Sequence, residues 1–355
     1  MADLVGIALL AARSPTLEVK RQTEYFELET RRFIGRSSGS RMPFRWTLNP
    51  YRGCEFGCKY CYARYAHEFM ELRDPLLFER KIYVKQFDPG AFRHELKRIP
   101  PEDLIWMGTA TDPYQPAERR FGITRRILEA FALERGRRFG ITTKSDLAAR
   151  DAALLAEIAR ANTLQVHLSV TTLDERLARQ IEPLAPRPRL RLAAARKLVS
   201  AGVQVSILTC PVLPLLNDSE ASLNAVCAAA AAAGASSFHA SPLFLRLPAK
   251  EVFLRFIDDH YPALARRYHE RFDDKDYLAG AYPKMIRERL EAVAARNGIS
   301  TRNMIFQPPD WPAAPQLNLF GELPAADEPP ASWPTRKRSS VTGHARVRET
   351  PRSGT

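Results

Sequence analysis

The stretch GCEFGCKYCYAR, residues 53–64, puts Cys54, Cys58 and Cys61 within eight residues and offers no fourth cysteine nearby. Thiolates are soft ligands that suit iron–sulfur clusters or zinc. A four-iron cubane normally takes four cysteines, so three leave one iron open for another ligand. The spacing, three residues and then two, forms one tight loop able to wrap a single face of such a cluster. Tyr60, just before the last cysteine, places a ring where it can pack on the cluster or on a neighbouring ring. The competing reading is zinc, with His67 as fourth ligand. Zinc sites usually pair two CxxC units across a spacer, and only one cysteine group is present here.

Working outward from the loop, a regular alternation begins at residue 44. FRWTLN reads as a strand and CKYCYARYAHEFMEL as a helix. The strands LIWMGTA, RFGITTK, LQVHLSVTT, QVSILTC and SSFHASPLF follow, separated by the helical stretches TRRILEAFALERG, DLAARDAALLAEIARA, RPRLRLAAARKLVSAG and SEASLNAVCAAAAAAG. Short apolar strands alternating with amphipathic helices imply a parallel sheet covered by helices. The expected fold is α/β, a partial (β/α)6 TIM-like barrel with a C-terminal helical appendage and a disordered tail. Boundaries fall at 1–40 (an N-terminal extension, with a short strand or two and a flexible SSGSR joint), 41–245 (the barrel), 246–308 (the appendage) and 309–355 (the Pro- and Arg-rich tail). In such barrels the chemistry sits at the C-terminal ends of the strands.

The chain has 355 residues, of which 45% are hydrophobic, ample for a large core. No apolar run reaches the length of a membrane span. LVGIALLAA, residues 4–12, follows Asp3 with no basic residue before it and reads as a packed segment rather than a signal peptide. Five cysteines, three of them clustered, fit a metal-binding protein of a reducing compartment, so a cytoplasmic location is expected. Cys227, in an alanine-rich helix, reads as a core residue. The net charge of +13 points to a polyanionic partner, DNA or RNA first, although arginines also decorate solvated helix faces.

Cys54, Cys58, Tyr60 and Cys61 resemble the Cys-x3-Cys-x-aromatic-Cys signature of the radical S-adenosylmethionine (SAM) superfamily. RMPFRWTLNPYRGCEFGCKYCYAR, GTATDPYQPAE, TTKS, SVTTLDERLARQIEP and PVLPLLND together are similar to the branch related to spore photoproduct lyase, over residues 41–310. The resemblance implies a [4Fe-4S] cluster whose open iron is chelated by the amino and carboxylate groups of SAM. It implies reductive cleavage of SAM to a 5'-deoxyadenosyl radical that abstracts hydrogen, fed by an electron donor such as flavodoxin or ferredoxin. Carried onto this chain, it implies that Thr111 and Asp112 face the SAM amino group and that Lys144 pairs with its carboxylate. Ser169 contacts the same end, Asn217 lies near the adenosyl part, and Glu182 and Arg191 form a structural ion pair.

The chain departs from the lyase in two places. The lyase's hydrogen-donating cysteine falls where Gly108, Thr109 and Ala110 stand, so photoproduct repair is not expected. Pro214-Leu215-Leu216 replaces a stretch that usually holds a glycine, which narrows the space over the adenosine. Cys210 ends the fifth strand and is either a substitute hydrogen donor or a packing residue. The leading expectation is a radical SAM enzyme acting on nucleic acid, in repair or modification. The alternatives are a radical SAM enzyme for a small molecule or peptide, and a non-catalytic iron–sulfur protein that binds DNA or senses redox state.

In the tail, Gln316, Leu317, Asn318, Leu319 and Phe320 crowd apolar side chains into a Pro-rich segment. The pentapeptide resembles the motif by which bacterial replication and repair proteins dock on the DNA sliding clamp. There Gln316 would hydrogen-bond, and Leu317, Leu319 and Phe320 would fill a pocket. The alternative is that the segment folds back on the chain's own helices.

Overall fold

The computed structural model of the protein describes residues 4–20, 22–30, 32–37 and 43–302. The tail, with the clamp-like residues Gln316, Leu317, Leu319 and Phe320, and most of the SSGSR joint lie outside the described residues.

Among the described residues the chain forms two sheets. In order along the chain the strands are β1 (Thr16–Lys20), β2 (Thr23–Leu28), β3 (Ile34–Arg36), β4 (Trp46–Leu48), β5 (Tyr51–Arg52) and β6 (Lys81–Lys85). They continue with β7 (Leu104–Met107), β8 (Arg138–Thr143), β9 (Thr163–Ser169), β10 (Gln204–Val212) and β11 (Ser237–Pro242). The larger sheet runs β11-β10-β9-β8-β7-β4-β3, parallel throughout except for β3, which pairs antiparallel with β4. Its six parallel strands are the six read from the alternation of apolar runs and helices. Residues of β9 are buried on both faces, as a central parallel strand requires. Ile105, Met107, Phe139, Ile141, Val166 and Leu168 point outward into the core beneath the helices. Their alternate neighbours point into the barrel.

The smaller sheet, β1-β2-β6-β5, departs from the expected layout. β2 pairs in parallel with β6, and β5 pairs antiparallel with it, so the N-terminal segment is bound to the residues that flank the cysteines. The apolar helix Gly6–Arg13 buries Ala8 and Ala11 near Leu28, Met70 and Tyr83, in agreement with a packed segment.

The helix expected over residues 58–72 is shorter. Only the turn Tyr62–Arg64 and the helix Tyr65–Glu68 form there. Cys54 to Cys61 stay in a loop because their amides bond elsewhere: Cys54 N–H donates to the Phe78 carbonyl at 2.9 Å and Lys59 N–H to that of Ile181 at 2.9 Å.

The helical appendage also divides. Helices Ala249–His260 and Pro262–Phe272 pack against the cysteine loop, with Phe253, Phe256, Tyr268 and Phe272 in one apolar cluster with Phe56 and Tyr60. Helix Ala281–Arg296 instead covers β11 and helix Glu220–Ala232, through Ile286, Val293 and Ala294. The chain beyond it bridges Ser300 to Ser237 in parallel. This helix belongs to the barrel layer because its apolar face matches the open flank of β11. Cys227 lies there, fully buried, its thiol 3.6 Å from the Val293 carbonyl. Among the described residues no helix is long and apolar enough to cross a membrane.

Candidate cluster and cofactor site

Gly53 opens the cysteine loop at a φ of +82°, where a Cβ would sit 2.7 Å from the Lys81 carbonyl and 2.8 Å from that of Phe78. Only glycine fits. The Gly53 carbonyl accepts from Thr111 Oγ1 at 2.5 Å and Gln115 Nε2 at 3.0 Å, and Glu55 N–H donates to Gln115 Oε1 at 3.0 Å. Arg64, wholly buried, donates to the Cys58 carbonyl at 3.1 Å and pairs with Glu79 at 2.6 Å. The loop is thus clamped by β6 on one side and by the end of β7 on the other.

Cys54, Cys58 and Cys61 form no disulfide and line one cavity of about 200 Å³ together with Thr111, Asp112, Lys144, Ser169 and Cys210. Burial pushes all three thiols above their ordinary range. For Cys54 the charges of Asp112, Cys58 and Cys61 push the same way, so the sulfurs lie within electrostatic reach of one another. Bare thiolates are disfavoured there, and a cationic centre that takes the place of the protons relieves all three. Among the described residues, no three His, Cys, Asp or Glu side chains converge on a point that would hold a single metal ion. The three thiols line one cavity, an arrangement that suits a cluster held by three cysteines. His67, the fourth ligand of the zinc reading, does not line the cysteine cavity. His67 Nε2 lies 3.0 Å from the Lys81 carbonyl, and its ring packs against Phe78 and Tyr83.

The cofactor side of the cavity comes from the strand ends. Asp112 Oδ1 accepts from Thr143 Oγ1 at 2.6 Å and Tyr114 N–H at 2.9 Å, and Oδ2 accepts from Lys144 N–H at 2.7 Å. The carboxylate therefore pins the end of β7 to the end of β8 while lining the cavity. Burial raises its pKa even so. Lys144 Nζ stands 5.6 Å from the centroid of the Tyr60 ring, a cation–π contact. Burial works against its charge, but Cys58 and Glu182 overcome this and raise its pKa.

Tyr60 is itself anchored. Its hydroxyl donates to Glu182 Oε1 and stands 3.2 Å from Thr171 Oγ1. Glu182 and Arg191 form the expected ion pair at 2.6 Å, both buried. Asn217 departs from expectation. It does not line the cavity: its amide accepts from Leu213 N–H at 2.5 Å and donates to the Thr171 carbonyl at 2.7 Å. Both ends of the amide brace the loop after β10.

A second cavity is not legible in the sequence. It occupies the barrel interior, measures about 850 Å³ and shares Tyr62, Gly108, Thr109, Thr142, Leu208 and Cys210 with the cysteine cavity. Trp106, Gln165 and His167 line it. The one available signal is Gln165, His167 and Ser169 at alternate positions of a strand otherwise made largely of apolar residues. Cys210 lies at the junction of both cavities, and burial raises its thiol pKa.

Comparison with known proteins agrees with this geometry. The family model for the Radical SAM superfamily matches residues 48–224. An uncharacterized protein of Mycobacterium tuberculosis is 35% identical over 260 residues, covering 73% of this chain and 76% of the relative. One from Methanocaldococcus jannaschii is 28% identical over 218 residues, 61% of this chain and 77% of the relative. Among solved structures, a spore photoproduct lyase variant with bound AdoMet and dinucleoside spore photoproduct superposes with a TM-score of 0.55. It shares 14% identity, over 77% of this chain and 79% of that one.

Proposed function

The chain belongs to the radical SAM superfamily, whose members use a [4Fe-4S] cluster and SAM, and on that premise we propose that it is an enzyme acting on nucleic acid, in repair or modification. The observation that carries the reading is the joining of two cavities: one lined by Cys54, Cys58, Cys61, Asp112 and Lys144, the other roomy enough for a substrate and sharing a wall with it.

When bound, the cluster and SAM supply one-electron reduction and, from it, hydrogen-atom abstraction. The chain's own residues do the rest. Cys54, Cys58 and Cys61 would hold the cluster. Lys144, charged and held over Tyr60, meets a carboxylate as a point charge. Asp112 meets an ammonium from a position fixed by Thr143 and the Lys144 amide. Thr111 and Ser169 complete the polar lining. The helices Ala249–His260 and Pro262–Phe272 pack apolar rings around the loop and keep water away from it.

Three observations support nucleic acid as substrate. The net charge is +13. The fold is that of a lyase crystallised with a dinucleoside photoproduct. The barrel cavity carries aromatic side chains. Photoproduct repair itself is set aside, because Gly108, Thr109 and Ala110 hold no thiol. An electron donor of the flavodoxin or ferredoxin type belongs to this reading. So does docking on the sliding clamp through Gln316, Leu317, Leu319 and Phe320, which a peptide spanning Pro315–Glu322 tests directly, with Leu319 and Phe320 changed to Ala as control.

The deciding experiment is anaerobic reconstitution followed by reduction in the presence of SAM. Release of 5'-deoxyadenosine and methionine, stimulated by duplex DNA, single-stranded DNA or RNA, is the expected result. Release without stimulation by any of them favours a small-molecule or peptide substrate. No release at all favours the non-catalytic alternative.

A further inference from the structure

We propose that the cavity between helix Gly6–Arg13 and strands β5 and β6 is a second ligand site, which takes a small organic anion: a carboxylate or phosphate monoester head on an apolar body. The cavity measures about 460 Å³. That is within the range of roughly 300–1,000 Å³ typical of small-molecule sites. It shares no lining residue with the cysteine cavity or the barrel cavity, so the proposal stands apart from the reading above.

The head is met by Arg52 and Lys85, with Arg32 at the same cavity. Arg52 lies on β5 opposite Tyr83 of β6, and Lys85 follows two residues later on β6. The two cations are therefore diagonal neighbours on one face of the smaller sheet, an arrangement that is unfavourable unless a counter-charge lies between them. The protein supplies little. Among the described residues neither side chain has an ion-pair partner, and the buried Nε of Arg52 has no hydrogen-bond partner. Lys85 Nζ faces the Phe33 ring at 5.6 Å, a contact that leaves its N–H groups open. Glu95 acts on Lys85 from outside the cavity, and its carboxylate accepts from the N–H groups of Phe33 and Ile34 at 3.0–3.1 Å. Within the cavity one carboxylate, Glu29, faces the three cations. Burial and the charge of Arg52 push Lys85 down to about 7, and burial lowers Arg52 as well. An anion between them relieves both. A guanidinium fork grips carboxylate or phosphate through two parallel hydrogen bonds, and the ammonium adds a point charge.

The body is met by the helix. Ile7 and Leu10, one turn apart, line the cavity together with Leu28 from the end of β2. A bare inorganic ion would leave this wall facing water, whereas a hydrocarbon part buries it. Arg52 immediately precedes Gly53, so a bound anion ties helix Gly6–Arg13 to the root of the cysteine loop.

The test titrates the full chain with octanoate and with octyl phosphate, followed by calorimetry and by thermal unfolding. Octanol serves as the headless control, and acetate and inorganic phosphate as the bodiless ones. At least one octyl anion binds one to one and raises Tm, and the stronger of the two assigns the head group. The three controls bind at least tenfold more weakly. Arg52→Gln and Lys85→Met each weaken the octyl anion roughly 10- to 100-fold, the loss of a charge-assisted contact. Arg52 abuts the cysteine loop, so Lys85→Met supplies the independent comparison, and Lys85→Arg restores binding where a merely structural role for the lysine would not. The proposal is overturned if neither octyl anion binds the wild type with a Kd of about 1 mM or tighter. It is also overturned if any control binds as tightly as the octyl anions, or if Arg52→Gln and Lys85→Met both bind as the wild type does.

Discussion

Glu182 meets Arg191 at 2.6 Å with both side chains buried, while its second oxygen takes the hydroxyl of Tyr60. Burial alone would raise the carboxyl pKa, but the charges of Arg191 and Lys144 and the Tyr60 hydrogen bond bring it below the ordinary value. One buried charge pair thus props the ring on which Lys144 rests.

Removing one partner strands the other. Glu182→Gln leaves Arg191 buried without its counter-charge and destabilises the fold by about 3–5 kcal/mol. The double change Glu182→Leu with Arg191→Met costs less than the single one. Urea denaturation of the apoprotein distinguishes them, and equal stability of wild type and Glu182→Gln would show that the pair carries no structural weight.

Ala at Cys54, Cys58 or Cys61 abolishes cluster assembly, because each lines the one cavity where the three thiols meet. Cys227→Ala leaves iron and sulfide content unchanged, since its thiol lies between helices Glu220–Ala232 and Ala281–Arg296. Iron and sulfide analysis after anaerobic reconstitution reads the difference.

Lys144→Ala weakens SAM binding roughly 10- to 100-fold, the loss of a charge-assisted contact of about 1.5–3 kcal/mol, with the cluster retained. Asp112→Ala weakens binding too, but it also lowers Tm, because the carboxylate fastens β7 to β8 through Thr143 and the Lys144 amide. Unchanged SAM affinity in both variants would remove these residues from the cofactor site.

Burial holds the pKa of His67 down to about 4 and that of His167 down to about 3. Unfolded histidine titrates near pH 6.5, so on acidification the unfolded chain takes up the protons first. The stability contributed by the neutral rings is complete above about pH 6.5 and is lost as pH falls toward 4. By about pH 4.5 each ring accounts for about 2–3 kcal/mol, and His67→Phe flattens the profile. Denaturant midpoints of the apoprotein between pH 7 and pH 4.5 measure it; a midpoint that does not move would contradict neutral burial.

What the sequence shows and what it hides divide along physical lines. The six parallel strands are legible because each carries a short apolar run or an apolar alternation between two helical stretches, as in LIWM of β7 and LQVHL of β9. The cysteine group is legible because its spacing is local, whereas Lys144 is singled out only through the family resemblance, and the structure places it in the same cavity. β5 is invisible because two residues carry no period, and β6 because KIYVK runs on from the helix Leu77–Arg80 without a break. The bracing role of Asn217 is hidden in the sequence because an amide that braces a loop and one that contacts a ligand look alike until their partners are known. Trp106, Gly140 and His167 belong together only through register: Trp106 lies beside Gly140, and Thr142 beside His167.

The pairing of β2 with β6 bears on how this protein can be cut or fused. A chain trimmed to the barrel would start near residue 41, discard β1 and β2, and leave the backbone groups of β6 open along one side. An unpaired edge of this kind recruits other chains, and here it would lie in the strand whose Lys81 carbonyl closely approaches Gly53. Insoluble protein from such a truncation would report a torn sheet and not a failure of the barrel. Tags and fusion partners are therefore better joined at the C-terminal end.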